Sequence, residues 1–252
     1  MDKELLQLQN RFRDLAEKSY MQNVYTFSGF LSLAQQDAFL QITKELGSVA
    51  WQLFGGCSDC ERKMLMFGCA DDLGYEESYP IVCIHITPLL KKFSDDFSHR
   101  DFLGALMNLG IERSTLGDIF IKDREAYLFC QESVADFICE GLDKVKHTNV
   151  RCKRVEPGEE LPVREPEPVE VTVNSERADS VIAKVYHLSR EKSQQLFAEK
   201  KVYVDGRLTE NLSRMLKQGE LVTVRGFGRF IYRGLKYETK KGKLCVVAEV
   251  YR

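Results

Sequence analysis

Residues 177–206 read RADSVIAKVYHLSREKSQQLFAEKKVYVDG, and how this stretch is parsed decides the fold of the C-terminal third. Arg177–His187 has helical spacing: Ala178, Ile182 and Val185 fall on one face, and Arg177, Ser180, Lys184 and His187 on another. Ser189 is placed to cap a second helix, Arg190–Lys200, whose core contacts are Leu196 and Phe197. Val202-Tyr203-Val204 follows as a strand. Asp205-Gly206 before Arg207-Leu208 is a hairpin signal, because both turn positions tolerate positive φ. The spacing therefore predicts two short helices packed on a small sheet.

Beyond this stretch, Leu221–Val224 reads as a further strand that leads into Arg225-Gly226-Phe227-Gly228-Arg229-Phe230, and Lys243–Tyr251 as a last alternating strand. Charge is unevenly shared. The 252 residues have a net charge of −2, which by itself advertises no polyanionic partner. Residues 175–252, however, hold 17 Lys/Arg against 9 Asp/Glu, a net +8, which leaves −10 for the rest. A basic segment of domain size on an acidic body points to nucleic acid at one end of the chain. The residues placed to neutralise phosphates are Arg177, Lys184, Arg190, Lys201, Arg207, Arg214, Arg225 and Arg229. Ser189 and Gln194 can donate to phosphate or 2′-hydroxyl groups, so the surface would read RNA shape and not sequence. Phe227 and Phe230 are placed either to stack on a base or to plug the core beneath the sheet.

The N-terminal side is separated by residues 156–170, which hold Pro157, Pro162, Pro166 and Pro168 among six glutamates. That composition predicts an extended linker. Val169, Val171 and Val173 alternate with polar residues, so its end can also pair as an edge strand. Upstream, strands over Ile81–Thr87, Asp118–Lys122, Glu125–Cys130 and Val150–Val155 alternate with helices over His99–Leu109 and Val134–Val145. This order is β-α-β-β-α-β, the arrangement of ferredoxin-like and RRM domains, with a tight turn at Asp123-Arg124. Before it, helices over 1–20 and 32–46 and strands over Val49–Phe54 and Lys63–Phe67 make an N-terminal α/β region. The expected fold is α+β: an N-terminal α+β domain over 1–79, an RRM-like central domain over 80–173 including the linker, and a basic domain over 174–252.

Two resemblances follow from the motifs. Arg177-Ala178-Asp179, Ser189-Arg190, Lys201-Val202-Tyr203-Val204-Asp205-Gly206 and Gly219-Glu220 resemble an S4-type RNA-binding domain. Ala178 replaces the usual leucine and Glu220 keeps the usual acid. Gly55-Gly56 with Glu61-Arg62-Lys63, His99-Arg100-Asp101-Phe102-Leu103-Gly104-Ala105-Leu106, Leu109-Gly110-Ile111-Glu112-Arg113 and Leu116-Gly117-Asp118-Ile119 are similar to the YlmH family of bacterial S4-domain proteins, over nearly the whole chain. The resemblance implies a non-enzymatic factor of ribosome-associated quality control, acting in translation on obstructed large subunits. Its implied partners are large-subunit ribosomal RNA and tRNA in the form of peptidyl-tRNA. The expectation is a cytoplasmic monomer with no cofactor, no metal and no membrane contact.

Other chemistries fit less well. Cys57-Ser58-Asp59-Cys60 is a Cys-x-x-Cys, but a structural zinc site needs two such pairs, and Cys69 and Cys83 supply none. His99-Arg100-Asp101 has the first residues of a kinase catalytic loop, yet Leu106 stands where that loop needs Asn. Arg225-Gly226-Phe227-Gly228 matches the start of an RRM aromatic motif outside the β-α-β-β-α-β region, and Glu125–Cys130 carries Tyr127 and Phe129 without that motif. Arg100, Arg113 and Lys122 are further candidates to touch RNA or a ribosomal protein. An alternative reading is an RNA-modifying enzyme with an S4 domain, as in pseudouridine synthases, but the chain lacks a Gly-Arg-Leu-Asp type catalytic strand. No apolar run reaches the length of a membrane span, and the N-terminus has no signal-peptide pattern.

Overall fold

In the computed structural model, residues 3–155 and 165–251 are described, and the chain forms two units, Met1–Val163 and Arg164–Arg252. Most of the linker expected over 156–170 therefore lies outside the described residues.

The first unit opens with α1 (Lys3–Gln22), β1 (Thr26–Leu31), α2 (Leu33–Ile42), β2 (Trp51–Phe54), β3 (Lys63–Phe67) and the single turn α3 (Ala70–Leu73). The three strands form an antiparallel sheet in the order β1-β3-β2. Phe12 and Ala16 of α1 and Phe39 and Ile42 of α2 close over Leu65 and Phe67 of β3, a core that holds both helices against the sheet. The Ser32 N–H donates to the Gln35 side chain at 2.8 Å, and the Ser32 side chain accepts in return. This reciprocal cap starts α2 where the sequence placed it. The helix ends at Ile42 in a 3₁₀ turn over Thr43–Glu45, short of the expected 46.

The unit continues with β4 (Ile81–Pro88), α4 (His99–Asn108), β5 (Leu116–Lys122), β6 (Glu125–Gln131), α5 (Glu132–Gly141), β7 (Lys144–Val145) and β8 (Thr148–Arg154). The sheet order is β5-β6-β4-β8-β7, so β6 lies between β4 and β5 and runs antiparallel to both. This is the split-βαβ interleaving. Ile84, Ile86, Ala126 and Leu128 face Phe102, Leu106, Ala135 and Ile138 of the two helices, and this one-sided burial gives each strand its alternation. Asp123 and Arg124 sit at φ 52° and 67°, as a two-residue hairpin turn demands. One expected helix is corrected. Residues 134–145 do not form one helix, because α5 stops at Gly141 and Val145 pairs with Thr148 in β7–β8. Leu142 and Val145 keep helical spacing and are buried, but they reach the core through a turn.

The second unit holds β9 (Glu167–Val173), α6 (Ala178–Val185), α7 (Arg190–Ala198), β10 (Val202–Val204), β11 (Arg207–Leu208), β12 (Leu221–Val224), β13 (Gly228–Glu238) and β14 (Leu244–Tyr251). They form one sheet in the order β11-β10-β12-β13-β14-β9, with α6 and α7 packed on it through Val181, Ile182, Leu196 and Phe197. The alternating Val169, Val171 and Val173 pair as an edge strand with β14, so residues 167–173 belong to this sheet and not to the central one. Their inward valines complete the core under α6. Among the described residues no helix is long and apolar enough to cross a membrane.

Candidate nucleic-acid interface

In the second unit the backbone follows from local chemistry. Arg177 is the N-cap of α6, and Ser189 caps α7 by accepting from the Lys192 N–H at 3.1 Å. The Ser193 hydroxyl donates to the Asp179 carbonyl at 2.7 Å and pins one helix to the other. Asp205 and Gly206 adopt φ 49° and 77°, and the Asp205 carboxylate accepts from the Leu221 N–H at 2.9 Å, so the hairpin turn also docks on β12. The Arg225 N–H donates to the Lys201 carbonyl at 2.9 Å. This brings the β12–β13 turn beside the start of β10.

The cations expected to meet phosphate fall into two groups. Four have partners inside the unit. Arg177 makes a two-point bond to Asp179, at 3.0 and 2.9 Å, and the carboxylate is buried. Arg214 bonds the buried Glu220 at 2.8 Å, which also accepts from the Lys217 N–H. Lys201 pairs with Glu199 at 2.6 Å and holds that carboxyl below its ordinary range. The Arg229 guanidinium lies 4.4 Å from the centre of the Tyr251 ring. The others, Lys184, Arg190, Arg207 and Arg225, are exposed and have no carboxylate partner among the described residues. Gln194 is half-buried on α7, and the Ser189 oxygen is engaged in its cap. The two phenylalanines also separate. Phe230 is fully buried and belongs to the core, whereas Phe227 is 40% exposed, with its ring 5.8 Å from Tyr186. Of the two, only Phe227 is available to a base.

In the first unit the arginines do something else. Arg62 leaves β2–β3 and inserts between the two sheets, donating to the carbonyls of Leu116 at 2.9 Å, Phe30 at 2.7 Å and Arg113 at 3.1 Å. Burial and the neighbouring Arg113 lower its pKa to about 10. Asp118 accepts the backbone N–H groups of Glu61 and Arg62, and its own burial raises its pKa. Arg113, expected at a surface for RNA, is half-buried and donates to Leu116 and Gly117 at 2.6 and 3.3 Å. The glycines of the same motifs close the join: a Cβ on Gly56 would collide with the Phe129 ring, and one on Gly117 would stand 2.8 Å from Phe30. Sequence reasoning missed this joint as a structural element. The signal was present as the Gly55-Gly56, Glu61-Arg62-Lys63 and Leu116-Gly117-Asp118 motifs, but nothing in their spacing says that they meet.

The joint also covers part of the central sheet. Phe129 and Cys83 pack against Phe30, Cys60 and Met64. The next cross-strand row is open, with His85 stacked on Tyr127 at 4.2 Å and bonded to Glu125 at 2.8 Å. Cys57 and Cys60 lie 3.3 Å apart, sulfur to sulfur, and the Cys60 thiol is pushed up by its bond to Cys57 and by burial. Among the described residues no group of three or more His, Cys, Asp or Glu is placed to hold a metal ion.

A family model described as "Putative RNA-binding domain in YlmH" matches residues 75–159, the split-βαβ region. The chain is 32% identical over 224 residues to "Ribosome-associated protein quality control protein P2" of Bacillus subtilis (strain 168), covering 87% of this chain and 85% of the relative. A solved structure, "Cell division protein ylmH from Streptococcus pneumoniae", aligns with a TM-score of 0.51 at 16% identity, over 62% of this chain and 93% of that one. At that identity the likeness is one of fold.

Proposed function

Since the chain belongs to the YlmH family, we propose that it is a non-enzymatic RNA-binding protein that associates with the ribosomal large subunit and tRNA and acts in ribosome-associated quality control. The second unit is read as an S4-type domain and the first as carrying an RRM-like domain. The protein works as a cytoplasmic monomer without a cofactor. The observation that carries this reading is the set of four unpartnered cations, Lys184, Arg190, Arg207 and Arg225, within residues 175–252, a segment of net +8. A charge left without a carboxylate on a folded surface is free to displace counterions from a phosphate backbone. Arg177 and Arg214 contribute by shaping the face, since their guanidinium groups are held by buried acids. The names support the same direction, the relative's as "Ribosome-associated protein quality control protein P2" and the matched family's as "Putative RNA-binding domain in YlmH".

The test is sedimentation of cell extract through gradients of increasing salt. The protein is expected to travel with large subunits at low salt and to leave them as salt rises. Arg190→Ala with Arg225→Ala should release it at low salt. A wild-type protein that stays at the top of a low-salt gradient would defeat the reading.

A further inference from the structure

β13 is 11 residues long, far longer than its neighbour β12, and only its first half is paired on both sides. It pairs with β12 from Gly228 to Ile231 and with β14 from Arg229 to Glu238. Beyond Tyr232 the β13–β14 hairpin is an arm with a free edge on the β12 side. Two acids along the arm are neutralised within the sheet, since Arg233 bonds Glu249 at 2.7 Å and Lys236 bonds Glu170, while Glu238 at the end of β13 is exposed. At the tip, Thr239 receives the Gly242 N–H at 2.9 Å, and the Lys243 N–H bonds the Thr239 hydroxyl at 3.0 Å. This built turn carries Lys240, Lys241 and Lys243, all exposed, and among the described residues none has a carboxylate partner. Lysines on a strand edge often serve only to deter strand addition. Lys240 and Lys241 lie beyond the strands, in the turn, where no edge is offered.

We infer that this hairpin tip is a second phosphate-contact point of the same protein, gripping an RNA backbone at a distance from the helical face. The inference rests on the RNA-binding reading of the second unit. The geometry comes from β13 itself. One end joins the turn that carries Arg225 and Phe227, and the other reaches the three lysines. At roughly 3.3 Å per residue the strand sets the two basic ends about 30 Å apart. One phosphate cannot serve both, so the partner is an RNA long enough to run along the strand. Its two contacts then act together through effective concentration.

The test uses the full chain, a long RNA duplex and a short RNA stem. An A-form RNA duplex rises less than the roughly 3.4 Å per pair of DNA, so about 24 pairs still span both points and about 6 pairs do not. Replacing the tip lysines together, as Lys240→Gln, Lys241→Gln and Lys243→Gln, should weaken binding of the long duplex several-fold. The slope of log K against log salt should fall by about 2, at roughly 0.7–0.9 per phosphate released. The short stem should bind as before. Lysine-to-arginine changes at the same positions should restore the long-duplex affinity, which separates charge from folding. An unchanged isotherm on the long duplex overturns the inference, as does equal weakening on both RNAs. A triple variant that binds both RNAs normally but loses an acidic ribosomal protein would move the tip to a protein partner and also overturn it. If Arg190→Ala with Arg225→Ala abolishes binding while the tip variant changes nothing, the tip fails and the RNA-binding reading stands. If the wild type binds neither RNA at low salt, both fail together.

Discussion

Arg62 and Arg113 of the first unit and Arg190, Arg207 and Arg225 of the second have opposite fates. In the first unit Arg62 and Arg113 are half-buried, and their donors are spent on five carbonyl contacts, of which those from Arg62 to Leu116 and Arg113 join the two sheets. In the second, Arg190, Arg207 and Arg225 project from short elements with no carboxylate partner among the described residues. The matched family region, residues 75–159, holds 11 Lys/Arg against 15 Asp/Glu, while the second unit is strongly basic. The contrast teaches that a count of basic residues does not find an interface. What matters is whether each cation already has a partner in the fold. Buried guanidinium groups stabilise by satisfying carbonyls that water cannot reach, and unpartnered ones keep their charge for a polyanion.

Four substitutions can break this contrast. The largest effect belongs to Arg62→Ala, which takes a donor from the Phe30, Arg113 and Leu116 carbonyls, leaving Leu116 only its bond from Arg113, and removes the positive charge beside Asp118. It should cost about 3 kcal/mol or more of folding free energy. Chemical denaturation measures it, and a cost under about 1 kcal/mol would mean that the joint is not the stabilising element described. Next comes Arg190→Ala with Arg225→Ala, expected to lower RNA affinity about tenfold at 0.1 M salt. Stability should move by no more than about 0.5 kcal/mol, as for other surface positions. A large loss of stability would place these residues with Arg62. Arg214→Ala stands between the classes. It leaves the buried Glu220 without its guanidinium and should cost about 1–3 kcal/mol, with Glu220→Gln in the same chain recovering part of it. If the single variant instead lost affinity with stability intact, Arg214 would belong with the RNA contacts.

The smallest effect is one of pH. The bonds that Asp101 accepts from the Ser98 side chain, then from Lys146, hold its carboxyl near a pKa of about 2, below the ordinary 3.8. An acid with a depressed folded pKa contributes stability above its unfolded value and loses it as pH falls through the folded one. Melting temperature should therefore decline between about pH 4 and pH 2, and Asp101→Asn should flatten part of that decline. A variant curve parallel to the wild type throughout would rule out Asp101 as a contributor.

How much of this was visible in the sequence depends on range. The caps and turns were legible because their chemistry is local: Ser32 and Ser189 act on residues within a turn of themselves, and Asp205-Gly206 sets the hairpin through its own positive φ angles. β1 was not legible. Its alternation is broken by a register shift between Phe27 and Phe30, and Gly29 sits there because a Cβ would come within 2.8 Å of the Ser114 carbonyl, a neighbour far along the chain. α3 also escaped, a single turn too short for periodicity to reveal. The overrun of α5 into Val145 has a plain cause, since three-residue spacing continues through the turn that replaces the helix. In the candidate interface, residue types were readable but partners were not. Asp179 stands two positions from Arg177, yet only the fold turns its carboxylate inward to hold the guanidinium. The sorting of cations into held and free is a property of tertiary structure.

The most direct test of that sorting is the salt dependence of binding to purified large-subunit ribosomal RNA, measured for the full chain and for Arg190→Ala with Arg225→Ala. Loss of two phosphate contacts should reduce the slope of log K against log salt by about 1.5, with the folded state unchanged. The same slope for both proteins would contradict the account.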